Sequence, residues 1–294
     1  MAIMTYFLCS ALFLYIGCIP DFAICRDNTS GWRNNFYRAL ALDWSGTARQ
    51  WRNFRITYLT VACFMIPLAV SVHSIVASDF AVSQQPGWHI TSFPPYFVAG
   101  ALYSGCAAII TLFIILRFVF KFEEYLTLPI LRKIVRLTFA IAMIWTYLNC
   151  IEFASVWYGN GQAAKDVLIQ KATGAYAPFW WTMIFCGSVV PFALMLKRWQ
   201  TNIPVMFAVS LLLNLGMWLE RWMIVSPTLS NGFYPWTWDH DQWPSMIQWG
   251  IVAGSFGFFC SMLMLFFKFV PSISMHEVIN LAMKGQKSDQ HRDA

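Results

Sequence analysis

The sequence predicts an all-α integral membrane protein that crosses the bilayer about seven times. Three observations carry this reading. The chain is 58% hydrophobic and only 12% charged, whereas a soluble domain carries about 25% charged residues. Seven apolar runs are each long enough to span roughly 30 Å of hydrocarbon at a helical rise of 1.5 Å per residue. The Lys and Arg behind the net charge of +6 sit in alternate short loops, as positive-inside bias places them. That distribution excludes a nucleic-acid partner.

Taken in order, the first span, near Thr5–Ala23, ends in Pro20-Asp21. It has neither a basic start nor a small-residue cleavage site, so it is not a signal peptide. Residues 24–55 form a cytoplasmic loop in which Trp32, Tyr37, Trp44 and Trp51 alternate with arginines. That pattern fits a helix lying in the headgroup layer, indoles toward lipid and guanidinium groups toward anionic headgroups. The second span, near Ile56–Ser78, buries His73 about a turn and a half short of its end and leaves the apolar zone through Asp79. A short aromatic loop with Trp88, His89 and Phe93 then leads through Pro94-Pro95 into the third span, near Pro95–Val119. The remaining spans lie near Ile134–Trp157, Phe179–Leu196, Ile203–Val225 and Ile247–Val270. Residues 1–270 make one transmembrane domain, and 271–294 form a cytoplasmic tail.

Loop charge sets the orientation. Arginines and lysines follow the first, third and fifth spans and end the chain, while the alternate loops hold Asp79 and His89, then Lys165, Asp166 and Lys171, then Asp239, His240 and Asp241. The N-terminus is therefore expected outside and the C-terminus in the cytoplasm. An outside N-terminus without a leader fits a chain that further spans normally precede.

Ionisable residues within apolar runs are functional candidates, because each costs several kcal/mol unless paired or hydrated. His73, Glu152 and the pair Glu220-Arg221 each lie about five residues inside the outer ends of the second, fourth and sixth spans, roughly 8 Å below the surface. Glu220 and Arg221 point about 100° apart on a helix and are expected to pair with other spans. One reading is an Arg221–Glu152 salt bridge that fixes packing; the other is a proton-accessible layer. Asp21 either faces Arg26 at the headgroups or forms the inner mouth of a proton path. The proton-path candidates are thus Asp21, His73, Glu152, Glu220 and Arg221.

Motifs exclude more than they assign. Eight cysteines include no CxxC or CxxCH, against an iron–sulfur module, a zinc site and c-type haem attachment. Of five histidines only His73 lies within a span, so an intramembrane bis-His haem is excluded. Asp239-His240-Asp241 are adjacent and cannot all face one ion from a regular element, so no metal site is expected. Gly-rich phosphate loops, nucleophile elbows and paired-His metalloprotease motifs do not occur.

The segments YIGCIPDFAICRD (Tyr15–Asp27), SVHSIVASDFA (Ser71–Ala81), PGWHITSFPPYFVAG (Pro86–Gly100), Ile151–Tyr158 and LERWMIV (Leu219–Val225) resemble the NrfD/polysulfide-reductase membrane-anchor family. Within it they are most similar to the ActC and ActF subunits of alternative complex III. The resemblance implies a haem-free helical protein of two four-helix bundles, of which this chain would supply one and part of the second. It implies a quinone (menaquinone or ubiquinone) near the outer face, an external iron–sulfur subunit, haem c subunits, and a bacterial inner-membrane location. Members of this branch have about ten spans, so a second membrane subunit is expected to supply the earlier ones. Three functions compete: a quinol-oxidoreductase subunit, an ion or proton transporter without quinone, and a purely structural anchor. In the first, His73 and Asp79 meet the quinone headgroup, which one small ring spans only if the helix end unwinds. Trp88, His89 and Phe93 are expected to form the partner's docking platform with the loop Asn231–Pro244.

Overall fold

The computed structural model describes residues 1–83, 88, 91–123, 125–159, 161–230, 245–270 and 274–276. Among these there is no strand. The helices are α1 (Ala2–Asp27), α2 (Trp32–Leu40), α3 (Ala48–Ala81), α4 (Phe93–Val119), α5 (Leu128–Gly159), α6 (Gln162–Thr173), α7 (Ala177–Ile184), α8 (Ile203–Ser230) and α9 (Met246–Phe269). Seven helices among the described residues, counting α7 with its continuation to Met195 as one, are long and apolar enough to cross a membrane. They coincide with the seven apolar runs, and the all-α multi-pass expectation holds. The two remaining helices, α2 and α6, lie in segments that hydropathy reads as loops.

The chain divides into two compact units, Met1–Ala69 with Trp243–Ala294, and Val70–Gln242. In the first, Phe22 and Ala23 of α1 pack on Tyr37 and Ala41 at and just after α2. The Tyr37 hydroxyl donates to the Phe269 carbonyl at 3.1 Å. Burying one aromatic edge while Trp32 and Phe36 stay exposed gives α2 the two-sided character of an interfacial helix.

In the second unit α4, α5, α8 and the segment Ala177–Met195 surround a core in which Tyr103, Ile114, Leu131, Trp145 and Leu213 are fully enclosed. Small residues permit the approach of these helices, as bilayer packing requires. A Cβ on Gly216 would stand 2.8 Å from Cβ of Cys186, and one on Gly187 would stand 2.7 Å from the Trp145 ring. The fifth span is not a uniform helix. After α7 it passes through a π turn, Phe185–Val189, into a 3-10 segment, Val190–Met195. Pro191 is the physical cause: it has no N–H to give the carbonyl four residues back and its ring crowds that carbonyl. The carbonyl is that of Gly187, and the buried Tyr103 hydroxyl donates to it at 3.0 Å. A neighbouring span thus repairs the broken ladder, as a dry interior demands.

Candidate functional site

The second unit holds a partly open, partly polar cavity of about 40 Å³. Asn149 and Glu152 reach it from α5, three residues apart on one helical face. Tyr96 comes from α4, Lys171 from α6, Trp180 and Met183 from α7, and Glu220 from α8. Glu220 is fully buried. Its Oε1 accepts from Trp145 Nε1 at 3.3 Å, and Tyr96 lines the same cavity. Asn149 Nδ2 donates to the Tyr96 oxygen at 3.4 Å, and the Tyr96 ring stacks on Trp145 at 6.0 Å.

Arg221 answers the buried charge. Its Nε lies 3.3 Å from Oε2 of Glu220, and its guanidinium sits 4.0 Å above the Phe97 ring. A cation over an aromatic face is held electrostatically, more strongly where water is scarce. Gly100 makes room for the pair, since a Cβ there would stand 2.7 Å from Arg221 Nη2 and 3.2 Å from Glu220 Oε1. The expectation that these neighbours pair with other spans is therefore corrected. Their Cα–Cβ bonds diverge, but the long arginine side chain folds back and brings Nε to the carboxylate.

Three buried polar atoms here lack a hydrogen-bond partner: Asn149 Oδ1, Glu220 Oε2 and Arg221 Nη1. Buried polar groups are normally satisfied by protein or by ordered water. A cavity of this size holds about three or four waters by volume, at roughly 10–15 Å³ of probe space each. It is far below the roughly 300–1,000 Å³ of pockets for drug-sized ligands. The arrangement suits protons and water rather than a quinone ring. Lys171, outside the spans, is pushed below the usual lysine range by burial, and the nearby Glu152 carboxylate opposes that shift.

Glu152 and Glu220 line one cavity, with Arg221 paired to Glu220, whereas His73, counted to the same depth, is not among the lining residues. His73 is half-buried on α3 and Asp79 is exposed near its end. The helix continues unbroken through Ala81, so the unwinding that would let one ring touch both does not occur here. Trp88 and Phe93 are interior rather than surface residues: Trp88 Nε1 donates to the Ile224 carbonyl at 2.9 Å, and both rings pack against Phe80. His89 and the loop 231–244, including Asp239, His240 and Asp241, lie outside the described residues.

Asp21, in the first unit, is buried and does not face Arg26, which pairs with Asp27 at 2.8 Å. Instead Asp21 Oδ1 accepts the His276 backbone N–H at 3.0 Å and lies 3.1 Å from that imidazole's Nδ1. Sequence reasoning missed Tyr96, Trp145, Asn149 and Lys171. Only the Asn149/Glu152 spacing was a usable signal.

A family model for polysulphide reductase, NrfD, matches residues 2–230, from α1 through α8. The chain belongs to the NrfD family. NrfD proteins are membrane subunits of quinol-linked oxidoreductase complexes and partner with iron–sulfur subunits. No curated protein matches the chain.

Proposed function

We propose that this chain is the haem-free membrane subunit of a quinol:electron-acceptor oxidoreductase of the alternative complex III type, in a bacterial cytoplasmic membrane. The observation that supports this best is NrfD membership joined to a carboxylate-lined, water-sized cavity inside the spans. Menaquinol or ubiquinol is taken near the outer face, beside His73. The imidazole accepts a hydroxyl proton as general base, and exposed Asp79 passes protons to water at the end of α3. Electrons leave to an external iron–sulfur subunit and then to haem c subunits, while a second membrane subunit contributes further spans. The iron–sulfur subunit docks over His89 and the segment 231–244, next in sequence to buried Trp88 and Ser230 respectively. Asp21, Glu152 and Glu220 carry protons rather than quinone, and Arg221 belongs to the path by holding the Glu220 charge. A second reading, a proton-moving subunit without quinone, draws support from the small volume of the cavity.

The test is photoaffinity labelling of the full complex in native membranes with an azido-quinone, followed by peptide mapping. Label on α3 around His73–Asp79 that falls in His73→Ala is the expected result. Label confined to other subunits would overturn the assignment of the quinone to this chain.

A further inference from the structure

Lys171 has a place in the cavity that the quinol-linked role does not assign. Ala164, Val167, Leu168 and Lys171 all line it, at the i, i+3, i+4, i+7 spacing of one helical face. Buried Val167 seats that face on the bundle. Thus α6 closes the cavity with an apolar stripe and offers a single cation in its last turn. The titratable groups facing that cation are Glu152 from α5, Glu220 with Arg221 behind it from α8, and Tyr96 from α4. From α7 come only Trp180 and Met183, which do not titrate. Arg221 is engaged by Glu220 and Phe97, so Lys171 is the counter-charge for Glu152. The lysine is half-buried, so its stem sits against the protein while the helix that bears it lies outside the spans. A desolvated lysine exchanges its proton more readily than an exposed one.

We infer that Lys171 is the proton-transfer group between the buried carboxylates and the water beside α6. The neutral amine takes, through cavity water, the proton of the Glu152 carboxylic acid across the cavity that both line, which leaves a carboxylate and an ammonium of unchanged total charge. The ammonium then gives that proton to water and returns to the amine. Glu152 recovers a proton through the cavity waters from the Glu220 side. This rests on the proposed function in one respect only, that such a subunit has protons to move.

The test is the pH profile of Lys171 labelling by an amine-directed reagent, read by mass spectrometry on the full chain in its native complex with no quinol added. Glu152→Gln removes the charge that holds the ammonium, so the midpoint moves to lower pH by about one unit, a tenfold change in proton affinity. Glu152→Asp, the gentler change should the first variant fail to fold, draws the carboxylate back by one methylene and moves it the same way by less. A midpoint unmoved in both variants, or a Lys171 that never reacts, overturns the proposal. Because no quinol enters this assay, its failure is distinct from a failure of quinone labelling, which bears on the redox role alone.

Discussion

Replacing Gly187 with alanine tests the packing on which the cavity depends. The new Cβ would stand 2.7 Å from Cζ3 and 2.9 Å from Cη2 of Trp145, where carbon atoms prefer roughly 3.5–4.0 Å. The indole has little freedom to retreat: it is fully buried between Tyr96 at 6.0 Å and Tyr103 at 5.9 Å, with Nε1 on Glu220. Overpacking a full core costs about 1–3 kcal/mol. Loss of a hydrogen bond to a charged acceptor adds about 1.5–3 kcal/mol. The two share one movement of one ring, so the expected loss is about 2–4 kcal/mol rather than their sum. The assay is equilibrium unfolding in mixed micelles followed by tryptophan fluorescence. Gly250→Ala on α9 is the control: nothing lies within 4 Å of the added Cβ, and alanine in a helix interior gains about 0.5–1 kcal/mol over glycine. If the two variants unfold together, or Gly187→Ala matches the wild type, the close packing of Trp145 on the π turn is refuted.

Arg221→Met strands the fully buried Glu220 charge and should cost about 3–5 kcal/mol, more than Glu220→Gln, because Arg221 is partly exposed and regains water; the reverse order in the same assay would contradict the pairing. Trp88→Ala should destabilise the protein by about 3–5 kcal/mol, since it empties a core site and removes the indole donor from the Ile224 carbonyl, whereas His89→Ala should release the iron–sulfur subunit in native gels. Asp21→Asn keeps an oxygen acceptor for the His276 N–H but cannot carry a proton. In reconstituted vesicles it should impair any proton pumping and leave quinol oxidation largely intact, and loss of both, or of neither, would remove Asp21 from the path.

The seven spans were legible because hydropathy over a membrane-length run is a one-dimensional signal, and helix type follows when every backbone group must be satisfied within the segment. Depth was legible in part: counting residues from the ends of spans brought Glu152 and Glu220 to one level, and they share one cavity, but His73, counted to the same level, is not among its lining residues. Azimuth and side-chain reach were not. Glu220 and Arg221 diverge at Cβ yet meet through the length of the arginine. Asn149 and Tyr96 look like ordinary interior residues until Glu220 gives them a charge to serve. Lys171 was hidden because α6 is too short and polar to register as a span, so its charge was counted with a loop. The π turn depends on Pro191 freeing the Gly187 carbonyl for the Tyr103 hydroxyl, a hydrogen bond between residues 84 apart in sequence. Trp88 and Phe93 stand among aromatics that read equally as an interfacial belt or as core, and only the Ile224 carbonyl and Phe80 decide between them.

The central claim, that this NrfD chain works as the membrane subunit of a quinol-oxidising assembly, is tested most directly by isolating it from native membranes in mild detergent. Subunit composition and quinol oxidation are then measured on the same fraction. The expected result is co-purification with an iron–sulfur subunit and quinol-dependent reduction of that partner's clusters, abolished when the partner is stripped away. A stable, homogeneous preparation of this chain alone, with the quinol-oxidising activity in fractions that lack it, would contradict the account.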